Sequence, residues 1–411
     1  MKRFLFVVDK FYPDVSANTI CCENVLKYFI SKGHSVDVLA IKRTCQDKDV
    51  SFYNGIRIFK LDTYHFYWAK KFKKDDWLKI PTIARKTIGA YNKIKSLFNP
   101  LALKGYLDTV NVNKLYKIIK KEVKEQYDGM LSFTEPFALQ PICRKLMKKG
   151  LAKKWCTYML DPFEYNTFHN KVSLKKRIKI ANSVFSFNSK IFASDGVLIE
   201  GDKKGYKPVY ADKIVKTHLP VLTGDLAGEK PNFKEINLVY SGTFYSDIRP
   251  PEKMLEVLKN FPKEFLINFY GKGCEEVVQQ YAKEFKNGNL VINGFVAREE
   301  SIQKVKGANV LINLGNLNTP QVPSKVLEYI GSGKPIVNFY FSNEDTSLEI
   351  FKKYPLVYNF NLENYSNEDV DNLIAFCKEN ALIQLSYEKA TEQLEEFKIE
   401  NLAQLVLENL T

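Results

Sequence analysis

A short helical segment enclosed by two apolar runs constrains the fold more than any other feature of this sequence. Residues 308–314 and 335–340 are rich in apolar side chains, as expected of two buried strands. Between them, Pro323 is placed for the first turn of a helix and Gly331 for its end. This order of elements predicts a parallel sheet covered by helices. The helix would then begin at the carboxyl end of a strand, where its free N–H groups can bind an anion.

The charged residues of this helix also indicate an anion site at the carboxyl end of the preceding strand. Ser324 and Lys325 fall in its first turn, and Glu328 follows one turn later. The helix dipole disfavours a cation at the N-terminus, so Lys325 is unfavourably placed unless an anion binds beside it. One interpretation is a phosphate site with a carboxylate placed for a sugar hydroxyl. The other is an ordinary strand, loop and helix in which Lys325 and Glu328 are solvated.

The N-terminal residues show the same pattern of strand, helix and strand. We predict a strand over residues 4–9, a helix over 19–32 and a second strand over 35–41. Asn18 directly precedes the predicted helix, where it can either cap the first turn or contact a ligand, and we favour the cap. A chain of 411 residues is too long for one core, so these patterns indicate two α/β domains.

The motif Pro323-Ser-Lys-x-x-Glu-Tyr-x-x-x-Gly-Lys-Pro335 resembles the donor-binding motif of the GT4-like glycosyltransferases. That resemblance implies the GT-B architecture, an α/β protein of two Rossmann-like domains that face each other across a cleft. It implies an N-terminal acceptor domain, a linker, a domain that binds a nucleotide-sugar donor, and a terminal helix that returns to the first domain. The expected boundaries are 1–220, 221–231, 232–390 and 391–411, respectively.

The resemblance also implies roles for residues of the donor site. Glu328 matches the glutamate that binds the nucleotide ribose, whereas Pro320 stands where the family has a glutamate that faces the donor sugar. Arg249 and Lys325 would bind the donor diphosphate, although an ordinary surface arginine is the alternative for Arg249. The other residues expected at the donor are Gly242, Thr243 (at the position of a further arginine), Val296 (whose backbone would meet the base edge), Pro323 and Ser324.

Residues expected at the acceptor follow predicted strands of the first domain. Glu135 and Asp161 come directly after two such strands, and Asp161 opens a segment that resembles the acceptor cleft of several GT4-like enzymes. Both carboxylates could instead be turn or capping residues. Ser16 and Asn18 lie in the loop after the first strand, where Ser16-Ala17 replaces the glycine pair of the family.

The composition limits the functional classes. A net charge of +14 favours an anionic partner, which nucleic acid, an anionic membrane or a phosphorylated substrate would satisfy. The seven cysteines show no metal-ligand spacing, and residues 2–8 lead into a strand without a signal peptide, so we expect a reducing cytosol. No apolar run approaches the ~20 residues that are needed to span a bilayer.

Residues 62–126 form the least typical region, an expected insertion in the first domain. Here aromatic side chains are interspersed with lysines, most densely between Tyr64 and Trp77. Such a sequence fits a surface that rests on anionic lipid headgroups. It fits equally a solvated helical insertion whose aromatic residues belong to the core.

The function implied by the resemblance is retaining, metal-independent transfer of a sugar from a nucleotide-sugar to a hydroxyl of a saccharide acceptor. Arg249 and Lys325 would stabilise the departing diphosphate, and Asp161 is the third catalytic candidate. No metal and no cofactor is expected besides the nucleotide-sugar substrate. Our hypothesis is a lipid-linked acceptor in bacterial surface polysaccharide synthesis, with a cytoplasmic protein peripheral on the inner face of the membrane.

Three other functional classes stay open. A GT-B protein that binds sugar or nucleotide with little catalysis would fit the departures from the family at positions 16, 243 and 320. A nucleotide-sugar epimerase would need no acceptor. Nucleic-acid binding would fit the net charge, but we see no nucleic-acid-binding motif and expect no such partner.

Overall fold

A computed structural model describes residues 1–97, 111–134, 136–161, 173–198, 205, 208–227, 235–285, 288–317 and 322–411. The chain divides into two compact units, one of Met1–Pro220 with Ile399–Thr411 and one of Val221–Lys398. The described part of the expected linker therefore belongs to the second unit, which extends to Lys398 rather than to residue 390. Each unit is built on its own sheet, in agreement with the prediction of two α/β domains.

The described sheet of the first unit has eight strands in the order β3-β4-β2-β1-β5-β6-β7-β8, and only β3 runs antiparallel to its neighbour. Residues 4–8 are fully buried, which explains the unbroken apolar run at the start of the chain, because helices cover both faces of a parallel sheet. The strands are β1 (Arg3–Val7), β2 (Ser35–Ile41), β3 (Val50–Tyr53), β4 (Ile56–Leu61), β5 (Tyr127–Thr134), β6 (Ala152–Met159), β7 (Lys190–Ser194) and β8 (Ile214–Thr217).

The helices of the first unit differ in how far they are buried. In the fourth of them, Val112, Leu115 and Ile119 join the core, so this part of the expected insertion is a covering helix of the sheet. The second and third helices carry many more exposed side chains. The helices are α1 (Ala17–Ser31), α2 (Tyr64–Lys71), α3 (Thr82–Leu97), α4 (Val112–Glu122), α5 (Leu139–Lys148) and α6 (Leu174–Phe185).

The described sheet of the second unit has six strands in the order β11-β10-β9-β12-β13-β14, and every pair is parallel. The chain moves outward from β9 in one direction and then returns to place β12 on its other side. The carboxyl ends of β9 and β12 therefore form the switch point at which sheets of this kind bind ligands. The strands are β9 (Ile236–Thr243), β10 (Phe265–Lys272), β11 (Leu290–Gly294), β12 (Val310–Leu314), β13 (Ile336–Tyr340) and β14 (Val357–Asn361).

The first five helices after β9 connect the strands of this sheet, the next two follow β14, and the last one belongs to the first unit. That terminal helix contacts α1, where the Tyr28 hydroxyl donates to Oε1 of Gln404 at 2.7 Å. The helices are α7 (Glu252–Leu258), α8 (Glu275–Ala282), α9 (Arg298–Lys306), α10 (Ser324–Gly331), α11 (Ser347–Phe351), α12 (Asn367–Asn380), α13 (Tyr387–Ala390) and α14 (Ile399–Leu410).

Candidate functional site

Helix α10 begins after β12, on the carboxyl side of the second sheet. Pro323 precedes it in an extended conformation (φ −61°, ψ 133°) and gives no side-chain cap to the first turn. The first N–H groups of an α-helix have no partner within the helix, so this end of α10 can offer them to an anion. Ser324 and Lys325 lie in the first turn, as the sequence predicted.

Glu328 is the centre of a charged cluster at this helix. Its side chain is only 4% exposed, and its Oε2 accepts from Nζ of Lys325 at 3.0 Å and from Nη1 of Arg298 at 3.2 Å. Burial by itself would raise the pKa of this carboxyl, but the two cations outweigh burial and lower it. We call Glu328, Lys325 and Arg298 the Glu328 cluster. It holds a carboxylate ionised beside the start of α10.

Arg298 was not among the residues that the sequence indicated. It is the first residue of α9 and lies 30 positions before Glu328, so no local spacing connects the two. The only signal in the sequence was its place shortly after Gly294, in a loop that follows a predicted strand. Lys325 therefore shares Glu328 with Arg298, whereas the sequence had paired Lys325 with Arg249.

Arg249 bridges the two loops at the switch point of the second sheet. It lies in the loop after β9, and its Nη2 donates to Oδ1 of Asn316, after β12, at 2.7 Å. The Leu317 N–H donates to the Ile248 carbonyl at 2.7 Å and joins the same loops. Among the described residues, Nε of Arg249 is buried without a hydrogen-bond partner. Arg249 is thus a fixed cation at the point where ligands bind in such sheets.

The largely buried side chains of Tyr240 and Asp345 both interact with the charge of Arg249. Burial raises the pKa of the Tyr240 hydroxyl to about 12, although Arg249 opposes the change. Burial also raises the pKa of Asp345, and the hydrogen bonds from Ser347 and the charge of Arg249 oppose it only in part. The guanidinium therefore lies beside largely buried groups and is itself half-buried.

Gly242 and Thr243 end strand β9, where the neighbouring strand holds them in place. Gly242 pairs with Gly271 and Thr243 with Lys272. A Cβ added to Gly271 would lie 1.7 Å from the Gly242 carbonyl oxygen, so only glycine permits this approach of the two backbones. The conformation of the Gly242 loop therefore depends on a residue in β10.

Val296 lies between β11 and α9 and is half-buried. Its neighbour Phe295 is 75% exposed, and Nζ of Lys272 lies 5.7 Å from the centre of the Phe295 ring. The loop thus presents a backbone segment and an exposed aromatic face close to the carboxyl end of the sheet.

The first unit places Ser16, not Asn18, at the start of helix α1. The predicted cap by Asn18 is wrong: α1 begins at Ala17, and the Ser16 side chain accepts from the Thr19 N–H at 3.2 Å. The Thr19 side chain accepts from the Ser16 N–H at 2.9 Å, which completes a capping box. Ser16 directly precedes the helix, and Thr19 is the third residue of the helix. Their two side chains together satisfy two backbone N–H groups, whereas a cap by one side chain satisfies only one.

Ser16 also connects the helix to a buried carboxylate. Its Oγ donates to Oδ1 of Asp9, which follows β1, at 3.0 Å. Burial raises the pKa of Asp9, and hydrogen bonds from the Lys10 N–H and from Ser16 oppose that rise. A largely buried carboxyl therefore lies at the carboxyl end of β1, beside the expected acceptor residues, and the sequence analysis had not singled it out.

The other expected acceptor residues follow β5 and β6. Asp161 is half-buried two residues after the end of β6. Glu135 lies outside the described residues, as does the segment 318–321 that contains Pro320. At the ends of β7 and β8, Asp195 and His218 form a pair through Oδ2 and Nδ1, which the sequence did not suggest. Polar side chains thus follow β1, β6, β7 and β8 at the same edge of the first sheet.

Helices α2 and α3 present both aromatic and basic side chains. Of the aromatic residues in this region, Tyr67 and Phe72 are exposed, whereas Trp68 and Trp77 are half-buried. The side chain of Tyr64 lies outside the described residues.

None of the described helices is long and apolar enough to cross a membrane. Among the same residues, no three His, Cys, Asp or Glu side chains are grouped as metal ligands.

The structure is similar to solved structures over almost the whole chain. Sucrose-phosphate synthase from Thermosynechococcus elongatus has a TM-score of 0.65 at 10% identity and covers 99% of this chain and 98% of its own. HepE from Anabaena, in complex with UDP and glucose, has a TM-score of 0.62 at 11% identity, with 100% and 99% covered. WaaG, a glycosyltransferase involved in lipopolysaccharide biosynthesis, has a TM-score of 0.58 at 12% identity, with 99% of both chains covered.

These similarities establish the fold. The chain has the GT-B fold of glycosyltransferases, which confirms the fold class that the sequence predicted. No protein-family model matches the sequence, and no curated protein matches it in a sequence comparison.

Proposed function

We propose that this protein is a glycosyltransferase of the GT4-like type, which moves a sugar from a nucleotide-sugar to a hydroxyl of a saccharide acceptor. The observation that carries the proposal is the Glu328 cluster at the start of α10, on the carboxyl side of the second sheet. Two cations share one carboxylate there, so the cluster has an excess positive charge beside a helix N-terminus. The excess positive charge and the helix N-terminus both favour the binding of a diphosphate.

The difficult step in such a transfer is the departure of the nucleoside diphosphate. Lys325, together with the first turn of α10, would stabilise the negative charge that grows on the leaving oxygen. Arg249, fixed by Asn316 at the switch point, is the second candidate cation. Glu328, ionised because its pKa is lowered, would accept hydrogen bonds from the ribose. Catalysis would rest on charge stabilisation, with retention of the anomeric configuration and without a metal.

The similar structures support the choice of the first donor to test. HepE was solved with UDP, with UDP and glucose, and with UDP-glucose. WaaG and WaaB are described as glycosyltransferases of lipopolysaccharide synthesis. For this protein we therefore propose a nucleotide-sugar donor and an acceptor saccharide, lipid-linked, of a bacterial surface polysaccharide. Asp161 and Asp9, which follow two strands of the first unit, are our candidates for contact with such an acceptor.

The test is a turnover assay with the purified protein. UDP-glucose, UDP-galactose and UDP-N-acetylhexosamines are supplied with candidate acceptors, and the release of UDP and the anomeric configuration of the product are measured with and without EDTA. We expect transfer with retention that EDTA does not reduce. Loss of activity with EDTA would refute metal independence.

The same assay separates the alternatives. An epimerase would interconvert two nucleotide-sugars in the absence of an acceptor. A binding protein without catalysis would bind a nucleotide-sugar but release no nucleoside diphosphate over a wide range of donors and acceptors. A Lys325→Ala variant that turns over as fast as the wild type would contradict the role of the cluster.

We propose that the protein binds an anionic membrane through one surface of the first unit. This surface is formed by helices α2 and α3 and the residues between them. Leu78 is 71% exposed and Ile83 is 81% exposed, so two large apolar side chains of this short stretch face solvent. Among the described side chains of this stretch, six lysines are exposed, and their charge complements anionic headgroups. These lysines are Lys70, Lys71, Lys73, Lys74, Lys79 and Lys86.

Vesicle sedimentation tests this surface. Leu78→Asp combined with Ile83→Asp should reduce binding to vesicles of phosphatidylcholine with phosphatidylglycerol about 10-fold or more, because two anchors are lost and two negative charges are added. Val209→Asp is the matched control, since Val209 is 73% exposed in another part of the first unit. Equal binding of the double variant and the control would refute the proposal. Equal binding of the wild type to uncharged vesicles would refute the charge contribution.

A further inference from the structure

The Glu328 cluster uses only one of the two carboxylate oxygens. Lys325 and Arg298 both donate to Oε2 of Glu328, at 3.0 and 3.2 Å. Within the described part of the chain, Oε1 accepts no hydrogen bond. Ionised carboxylates can accept about four hydrogen bonds, two at each oxygen. Glu328 is therefore held by one oxygen while the other can accept hydrogen bonds from a ligand.

Arg298 is placed against the preference of its own helix. It is the first residue of α9, and the positive end of a helix dipole disfavours a cation. Glu299 and Glu300, which follow in the first turn, agree with the dipole preference. The contact that compensates Arg298 is the Glu328 carboxylate, which is 4% exposed and belongs to a different helix. Arg298 therefore stabilises the Glu328 carboxylate rather than its own helix α9.

We infer that Arg298 is a positioning residue of the nucleotide-sugar site, which holds Glu328 so that Oε1 faces the hydroxyls of the donor ribose. The inference rests on the proposed function. Arg298 keeps the carboxylate ionised and fixes its orientation, since it approaches from a second helix while Lys325 approaches from α10 itself. With Lys325 alone, the carboxylate would keep a cation but lose the contact that fixes its orientation from outside the helix. Lysine at position 298 would restore the charge but not the planar fork of arginine.

The experiment compares nucleotides that differ by a single hydroxyl. The wild type is first titrated calorimetrically with UDP, GDP, ADP and CDP. The nucleoside diphosphate that binds is then compared with its 2′-deoxy and 3′-deoxy forms in the wild type, Arg298→Ala, Arg298→Lys and Glu328→Gln. Lys304→Ala is the matched control, because Lys304 is an exposed cation of the same helix that pairs with the exposed Glu300.

The expected result is specific to positioning. The wild type and Lys304→Ala should bind the ribonucleotide about 10-fold or more tightly than one of the deoxy forms, since the lost hydrogen bond involves an ionised acceptor. In Arg298→Ala and Glu328→Gln this preference should fall to about threefold or less, and Arg298→Lys should restore part of it. A double variant, Arg298→Ala with Glu328→Gln, should lose no more of the preference than either single variant.

Two outcomes would overturn the inference in distinguishable ways. If Arg298→Ala weakens all nucleotides equally and keeps the wild-type preference for ribose, Arg298 has a structural role only, while the proposed function stands. If none of the four diphosphates binds the wild type, the proposed function fails and the inference fails with it.

Discussion

Tyr329 and Ser241 are joined by two hydrogen bonds between α10 and β9. The Ser241 N–H donates to the Tyr329 hydroxyl oxygen at 3.1 Å, and that hydroxyl donates to the Ser241 carbonyl at 3.3 Å. Burial raises the pKa of Tyr329, so the hydroxyl stays protonated and can donate at any pH that the fold tolerates. Because Glu328 precedes Tyr329 and Gly242 follows Ser241, this contact fixes the two parts of the proposed donor site relative to each other within one unit.

Replacing Tyr329 by phenylalanine tests that connection. The substitution leaves the buried Ser241 N–H and carbonyl without their partner, which should lower the free energy of unfolding by about 1–3 kcal/mol. Affinity for the nucleoside diphosphate should fall as well, since the start of α10 is then less firmly held. Tyr365→Phe is the control in the same unit, because Tyr365 is 40% exposed. Equal stability of both variants in urea denaturation would show that the two hydrogen bonds contribute nothing.

The cap of α1 gives a prediction that separates two neighbouring residues. Ser16→Ala removes the capping box and the hydrogen bond to Asp9, so we expect a loss of about 1–2 kcal/mol in the free energy of unfolding. Asn18→Ala leaves both contacts in place and should cost less than Ser16→Ala. The measurement is urea denaturation of the two variants. A larger loss in the free energy of unfolding for Asn18→Ala than for Ser16→Ala would show that Asn18 is the cap.

Lys334 gives a prediction on pH. Its side chain is fully buried, Nζ has no hydrogen-bond partner among the described residues, and burial lowers its pKa to about 8. Between pH 8 and the ordinary value of 10.5, the folded protein holds fewer protons at this residue than the unfolded chain. Its contribution to stability is therefore unfavourable below pH 8 and improves as the pH rises through that range.

Lys334→Met should accordingly stabilise the protein at pH 7, on the order of 1–3 kcal/mol, because a buried unpaired charge is removed. The gain should shrink as the pH rises from 8 to 10. Urea denaturation at each pH measures the difference from the wild type. Lys352→Met is the control, with a lysine side chain that is 67% exposed. A gain that is constant from pH 7 to 10 would contradict the account of Lys334.

Gly271 and Gly89 are predicted to respond in opposite directions to the same change. Gly271→Ala places a Cβ 1.7 Å from the Gly242 carbonyl oxygen, so the backbone must shift and we expect a loss of about 1–3 kcal/mol with weaker donor binding. Gly89 lies in α3 with nothing within 4 Å of an added Cβ. Gly89→Ala should stabilise the helix by up to about 1 kcal/mol. Thermal denaturation with and without nucleotide measures both effects.

The sequence predicted elements that local patterns determine. The hairpin of β3 and β4 turns at Asn54-Gly55, a pair that is typical of such turns, and both residues adopt positive φ there (47° and 78°). The helix after β12 was predicted from Pro323 and Gly331, and the fold class followed from the order of strands and helices.

The contacts that the sequence could not predict join residues far apart in the chain. Arg298 and Glu328 are 30 positions apart, and Arg249 and Asn316 are 67 apart. A sequence pattern reports which residues share a helix face or a strand, but it does not report which loops meet at the edge of a sheet. Pro320, which stands where the family has a glutamate, and Glu135 both lie outside the described residues.

The binding of a diphosphate by Lys325 is the central claim, and calorimetric titration of the wild type and Lys325→Ala with a nucleoside diphosphate and its monophosphate tests it most directly. We predict that the wild type binds the diphosphate about 10-fold or more tightly than the monophosphate, and that Lys325→Ala loses most of this preference, because an ionised donor to the second phosphate is removed. Lys325→Ala binding the diphosphate with wild-type affinity and preference would contradict the account.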